Sequence, residues 1–124
     1  MEKVTFAPGS VIVQEGENGD SAYFIVSGAV EVFLERNGAE RRLGEIKAGE
    51  VFGEMCLIDP GPRSATVRAT EETSCFVTTY DEFMALIQES PDVAIEFMRT
   101  LVRRLRELNE RFAEIDGGKK GLRG

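Results

Sequence analysis

Histidine is absent from this chain of 124 residues, and cysteine occurs only at Cys56 and Cys75. The first absence removes Ser-His and Cys-His nucleophilic pairs, the HExxH metalloprotease site, and most zinc and non-haem iron sites. Two cysteines are too few for a cysteine-only zinc site, and they do not form a CxxC pair. Both lie among apolar neighbours and read as small buried hydrophobes. The expectation is a protein that is not an enzyme and carries no metal or cofactor. Long apolar runs are also missing: none exceeds five residues, as in Ala22-Tyr23-Phe24-Ile25-Val26, far short of the roughly 20 residues a membrane helix needs. The N-terminus has no apolar stretch of the kind that marks a secretory signal. A cytoplasmic protein without a membrane partner is expected.

Basic charge is scarce and unevenly placed. Lys and Arg number 15 against 22 Asp and Glu, for a net charge of −7. Residues 1–98 hold 7 basic and 18 acidic side chains, whereas residues 99–124 hold 8 and 4. An acidic body argues against a nucleic-acid reader, because neutralising phosphates needs a basic face. The positive end fits the enrichment of cations in the C-terminal half of a helix, although it could also meet an acidic partner.

What is present describes one compact domain. The length suits a single core, and 42% hydrophobic with 30% charged residues is the composition of a globular chain. Eight of the 13 glycines fall in the first 53 residues, separating short apolar segments as turns do in an all-β fold. Strands are expected over Val11 to Gln14, Ala22 to Ser27, Ala29 to Glu35, Arg41 to Ile46, Ala65 to Ala69 and Ser74 to Thr78. Val30, Val32 and Leu34 alternate with Glu31, Phe33 and Glu35, so the Val30/Val32/Leu34 face should point inward. Asn37-Gly38 marks a hairpin, since both residues tolerate positive φ. Six or more strands make a sandwich or closed barrel the natural outcome.

After Thr79 the apolar period lengthens from two to about 3.6 residues. Thr79-Tyr-Asp-Glu82 is a capping-box pattern, predicting a helix through Gln88. Ser90-Pro91-Asp92 opens a second helix that can run to Ile115, before Gly117-Gly118, and would be roughly 35 Å long at 1.5 Å per residue. Along it Ala94, Met98, Leu101, Leu105, Leu108, Phe112 and Ile115 repeat at alternating spacings of four and three, the pattern of a heptad seam. A second copy of the chain, or the chain's own barrel, would have to cover it. The domain is expected over 1–116, with the barrel at about 4–79 and helices at about 80–116, and 117–124 as a flexible Gly/Lys-rich tail.

The chemically informative stretch runs from Val51 to Val67. Gly53 and Glu54 follow a strand and precede a helical turn, where backbone N–H groups favour an anion. Arg63 returns nine residues later with a guanidinium fork suited to a phosphate, and the Ser64 hydroxyl stands beside it. Glu54 is repelled by a phosphate but accepts hydrogen bonds from a sugar hydroxyl. A carboxylate for ribose and an arginine for phosphate describe a nucleotide site; an ordinary surface salt bridge between Glu54 and Arg63 is the plainer alternative.

Phe52-Gly53-Glu54 followed by Pro62-Arg63-Ser64-Ala65-Thr66-Val67 resembles the phosphate-binding cassette of cyclic-nucleotide-binding domains. Pro8-Gly9, Glu15-Gly16, Gly19-Asp20, Tyr23 to Val26 and Gly28 to Val32 resemble the same family's early strands and turns, so the likeness covers about residues 4 to 115. It implies a mainly β fold, an eight-stranded jelly-roll β-barrel followed by C-terminal α-helices, the last serving as lid or dimer helix. It implies that Glu54 accepts the ribose 2′-hydroxyl and Arg63 pairs with the cyclic phosphate. The Ser64 hydroxyl and the N–H groups of Gly53 and Ala65 would complete the anion's shell, and Val32 and Leu43 would line the purine side. Arg103 or Arg104, with Asn109, would finish the base from the last helix. A hydroxyl after the cassette arginine, as at Ser64, occurs in members that bind cAMP, so cAMP is the favoured ligand, with cGMP the other possibility.

Cys56 departs from the small Ala or Gly common at its position without touching the ligand donors. Members that act on DNA continue into a helix-turn-helix, whereas this sequence runs into a glycine-rich tail. A stand-alone sensor and a piece of something larger are both open, and the effector is unknown. An interaction protein with the same barrel and no nucleotide is the alternative, and intact Glu54, Arg63 and Ser64 weigh against it. An enzyme on a cupin-like barrel would need the histidines that are missing.

Overall fold

The computed structural model describes residues 1–115, giving only the backbone at 108, 109 and 111–115. The expected tail at 117–124 and the side chain of Asn109 lie outside the described residues. Two compact units are present, Met1–Phe83 and a second beginning at Met84.

The first unit is built from ten strands and a short helix: β1 (Glu2–Phe6), β2 (Val11–Val13), β3 (Asn18–Gly19), β4 (Ser21–Ser27), β5 (Ala29–Arg36), β6 (Ala39–Lys47), β7 (Val51–Phe52), α1 (Met55–Ile58), β8 (Gly61–Pro62), β9 (Thr66–Ala69) and β10 (Thr73–Thr79). Eight of these form two four-stranded sheets ordered β1-β10-β4-β7 and β2-β9-β5-β6, while β3 pairs with β8 in a ribbon of two. All pairings are antiparallel. The mainly β roll implied by the family resemblance is the architecture found. Three strands escaped the sequence reading, namely β1, β3 and β8. Two of them, β3 and β8, span only two residues, too few to show any periodicity.

Val13, Ile25, Val30, Phe52, Val67 and Cys75 form the core between the sheets. The β5–β6 hairpin turns at Asn37 (φ 55°) and Gly38 (φ 77°), the left-handed pair that a two-residue turn of the expected kind requires. The β5 pattern needs one correction. Val30 is fully buried, but Val32 and Leu34 are only half-buried, and Phe33 on the opposite face is 5% exposed. The Arg68 guanidinium lies 4.4 Å above the Phe33 ring and covers that face of it. Cys56 and Cys75 are buried and free, as read from their apolar neighbours.

Helix α2 (Tyr80–Glu89) starts where the capping box places it. The Glu82 N–H donates to Thr79 Oγ1 at 3.3 Å, and the Thr79 hydroxyl meets the Glu82 carboxylate at 3.2 Å. Helix α3 (Pro91–Ile115) follows Ser90, whose carbonyl accepts from the Val93 N–H at 3.0 Å. On α3 the apolar side chains Ile95, Met98, Val102 and Leu105 are exposed, whereas Ala94, Phe97 and Leu101 are half-buried. The exposed row is displaced from the expected seam: it shares Met98 and Leu105 and adds Ile95 and Val102. Leu108, Phe112 and Ile115 have no described side chain. No helix among the described residues is long and apolar enough to cross a membrane.

Candidate functional site

The site begins with the β3–β8 ribbon, which carries Arg63 at its end. Asn18 pairs with Pro62 and Gly19 with Gly61. The Arg63 N–H donates to the Glu17 carbonyl at 2.9 Å, and the Arg63 carbonyl accepts from the Gly16 N–H at 2.9 Å. With its backbone so fixed, the Arg63 side chain turns into the protein and is only 8% exposed.

Its guanidinium finds neutral acceptors there. Nη1 donates to the Ser21 carbonyl at 2.9 Å and, at a longer 3.4 Å, to the Gly53 carbonyl, while Nη2 donates to Ser21 Oγ at 3.1 Å. The Arg63 Cζ stands 5.9 Å from the centre of the Tyr23 ring, which itself stacks on Phe52 at 4.9 Å. The fit demands glycine on two sides. A Cβ on Gly19 would lie 2.2 Å from Arg63 Nε, and one on Gly53 would lie 2.6 Å from Nη1. Gly53 also has φ +77°, a conformation that glycine adopts without steric cost.

Among the described residues no carboxylate lies within ion-pair distance of Arg63. The Nε–H and one Nη2–H also find no acceptor there. Burying a charge is costly unless it is paired. A guanidinium buried with spare donors and no counter-charge is therefore chemically incomplete, and an anion with two adjacent oxygens would complete it.

Glu54, 8% exposed, follows Gly53 directly and precedes α1. Ser64 is exposed and Ala65 half-buried. Thr66, 3% exposed, anchors the end of the stretch through Oγ1, which accepts from the Glu15 N–H at 3.0 Å. Gly53, Glu54, Arg63, Ser64 and Ala65 thus all belong to the first unit, and the Arg63–Gly53 contact joins the two halves of the motif. Val32 packs against the core with partial exposure. Leu43 is 53% exposed, at the irregularity where Val32 pairs with Gly44 but Phe33 with Arg42. Arg103 is exposed and Arg104 half-buried, both on α3 of the second unit.

A family model described as the cyclic nucleotide-binding domain matches residues 3–90. The chain belongs to this family. The cyclic AMP receptor protein of Thermus thermophilus is 39% identical over 108 residues, covering 86% of this chain and 50% of that relative. The cAMP-dependent protein kinase regulatory subunit of Emericella nidulans is 37% identical over 87 residues, covering 70% of this chain and 21% of the relative. The crystal structure of the Thermus thermophilus catabolite activator protein superposes with a TM-score of 0.83 at 34% identity, over 93% of this chain and 55% of that one. The chain spans about half the length of the bacterial relatives it matches.

Within this cyclic nucleotide-binding domain, sequence reasoning missed Ser21 and the packing role of Gly19. Gly19 had a visible mark, a glycine between two polar residues, although nothing local says that a side chain from position 63 will lie against it. Ser21 had none. Its importance comes from a contact across 42 positions of sequence.

Proposed function

We propose that this chain is a cytoplasmic cyclic-nucleotide sensor that favours cAMP, accepts cGMP less well, and is not itself an enzyme. The observation that carries this reading is the buried, incompletely partnered guanidinium of Arg63. In the proposed complex, the Nε–H and Nη2–H of Arg63 pair with the cyclic phosphate. The Ser64 hydroxyl and the N–H groups of Gly53 and Ala65 contribute further donors, and Glu54 accepts from the ribose 2′-hydroxyl. Val32 and Leu43 take the purine side. Both relatives named above carry cyclic AMP in their descriptions, which supports the order of preference.

The readout is assigned to the helices. One residue, Ser90, separates α2 from α3, and ligand would act by fixing that joint, shifting a pre-existing balance of helix positions. The exposed row Ile95, Met98, Val102 and Leu105 supports a homodimer through α3, because its spacings of three, four and three match a two-helix seam.

Calorimetric titration of nucleotide-stripped protein with cAMP and cGMP, followed by light scattering of the same samples, tests the reading. Binding in the micromolar range or tighter is expected, with cAMP ahead of cGMP and a dimeric mass. A ligand at 100 times its Kd stabilises a fold by about 2.7 kcal/mol, which a melting curve resolves. Absence of heat and of any melting shift at millimolar nucleotide would refute the binding. A monomer with and without cAMP would refute the dimer alone.

A further inference from the structure

We propose that Ser21 is the positioning residue of the anion site, acting through Arg63; this rests on the cyclic-nucleotide reading of that site. Ser21 is itself buried, 9% exposed. It offers two acceptors from one residue, its carbonyl to Nη1 at 2.9 Å and its hydroxyl to Nη2 at 3.1 Å. Two acceptors on the Nη1/Nη2 end of a planar group fix the direction of its plane as well as its place. The Nε–H and the remaining Nη2–H stand side by side on the adjacent edge, which is the edge that matches two oxygens of a phosphate.

The strand explains why Ser21 can do this. Alternation along β4 puts Ser21, Tyr23 and Ile25 on one face. Ser21 pairs in register with Thr79, and Tyr23 with Val77 and Phe52. One strand face therefore supplies both the clamp for the guanidinium and the ring beside it. Gly19 and Gly53 leave the room in which the guanidinium lies. Ser21 thus determines how the fork is aimed, while Arg63 supplies the charge.

The test compares cAMP with the Sp and Rp phosphorothioate analogues, in which sulfur replaces one or the other exocyclic phosphate oxygen. In the native protein an aimed fork should distinguish the two diastereomers. Ser21→Ala keeps the carbonyl and removes the hydroxyl. It should weaken cAMP about tenfold, the scale of a hydrogen bond to a charged group, and shrink the Sp/Rp affinity ratio by at least about threefold. Ser21→Thr keeps a hydroxyl and should restore both quantities. A merely structural loss would weaken both diastereomers alike and leave the ratio unchanged.

Native cAMP affinity in Ser21→Ala, or a reduced affinity with the native ratio, would overturn the proposal while the nucleotide site stands. Failure of the native protein to bind, or native affinity in Arg63→Ala, would remove the site reading and this proposal together. Should Ser21→Ala fail to fold, Gly19→Ala supplies the decision. Its Cβ meets Nε at 2.2 Å, Cζ at 2.4 Å and Nη2 at 2.5 Å. Those are the far atoms of a flexible side chain, which can move aside without disturbing the backbone. The same loss of affinity and ratio is expected, and a native ratio in Gly19→Ala would overturn the proposal.

Discussion

Arg63 and Arg68 lie five positions apart in the first unit, and each has its guanidinium near an aromatic ring, at 5.9 Å from Tyr23 and 4.4 Å from Phe33 respectively. Their partners differ completely. Arg68 donates to Glu31 and, at 3.0 Å, to both carboxylate oxygens of Glu40. It sits opposite Glu31 in the β5–β9 pairing and covers Phe33 from the solvent side. Arg63 is more deeply buried, yet its acceptors are a serine and a backbone carbonyl. An arginine already neutralised by two carboxylates has little left to offer an anion. One that is buried without a carboxylate, with unused N–H bonds, keeps the donors that an anion would need. The identity of a residue thus says less about its role than whether its charge is matched.

The sharpest way to break this comparison is to remove each arginine in turn. Arg63→Ala should lower cAMP affinity by tenfold to several-hundredfold, given about 1.5–3 kcal/mol for each charge-assisted hydrogen bond. Arg63→Lys should also bind poorly, because an ammonium cannot present the two-pronged edge. Arg68→Ala should leave affinity within about threefold, as surface substitutions away from a site usually change energies by under 0.5 kcal/mol. Calorimetric titration of the three variants measures this directly. A large loss in Arg68→Ala, with little in Arg63→Ala, would invert the assignment.

Much of this contrast was legible beforehand, but not the part that decides it. The types and spacing of Gly53-Glu54 and Arg63-Ser64-Ala65 suggested a nucleotide site beside the plainer alternative of a surface salt bridge, and the resemblance of the whole cassette is what pointed to the family. The Asn37-Gly38 turn, the Thr79–Glu82 cap and the Ser90-Pro91 start were equally local, because φ preferences and capping hydrogen bonds depend on a few adjacent residues. What stayed hidden depends on distant partners. Phe33 was placed on the polar side of its strand by alternation, yet it is buried there, with the Arg68 side chain from another strand over its ring. The irregularity in β6 where Leu43 lies, with Val32 opposite Gly44 but Phe33 opposite Arg42, likewise has no local mark. Ser21 became important only once the ribbon had delivered Arg63 to it.

The two regions also differ in their carboxylates. Glu31 and Glu40 are on the exposed and half-buried surface beside Arg68, and Glu54, buried beside Gly53, is the carboxylate that the proposed complex gives to the ribose. A site that accepts from a hydroxyl loses that bond when the hydroxyl is missing and leaves a desolvated carboxylate behind. The 2′-deoxy analogue of cAMP should therefore bind at least about tenfold more weakly than cAMP, within the range of a lost charge-assisted bond. In Glu54→Gln that gap should narrow, and in Glu40→Gln it should stay as in the native protein. Competition binding with both nucleotides reads all three ratios. Equal affinity for cAMP and its deoxy analogue in the native protein would take Glu54 out of the ribose role.

The smallest effect sharpens the comparison from the structural side. The hydrogen bond from Arg68, reinforced by its charge and opposed by partial desolvation, holds the Glu40 carboxyl below the usual carboxylate range. A folded-state pKa below the unfolded value means that the pair stabilises the fold at pH values above the unfolded pKa, about 4.3 for glutamate. That contribution fades as the pH falls through the lowered folded-state value. Glu40→Gln should accordingly melt slightly below the native protein at pH 7, with the difference closing in strong acid. Added salt should also shrink it, because Glu40 is exposed and exposed pairs are screened. In Arg68→Gln the Glu40 carboxyl should titrate in the ordinary range when followed by NMR, while cAMP affinity at pH 7 stays native. A Glu40 titration unmoved by Arg68→Gln would dissolve the pair, and with it the claim that Arg68 is the matched member of the two arginines.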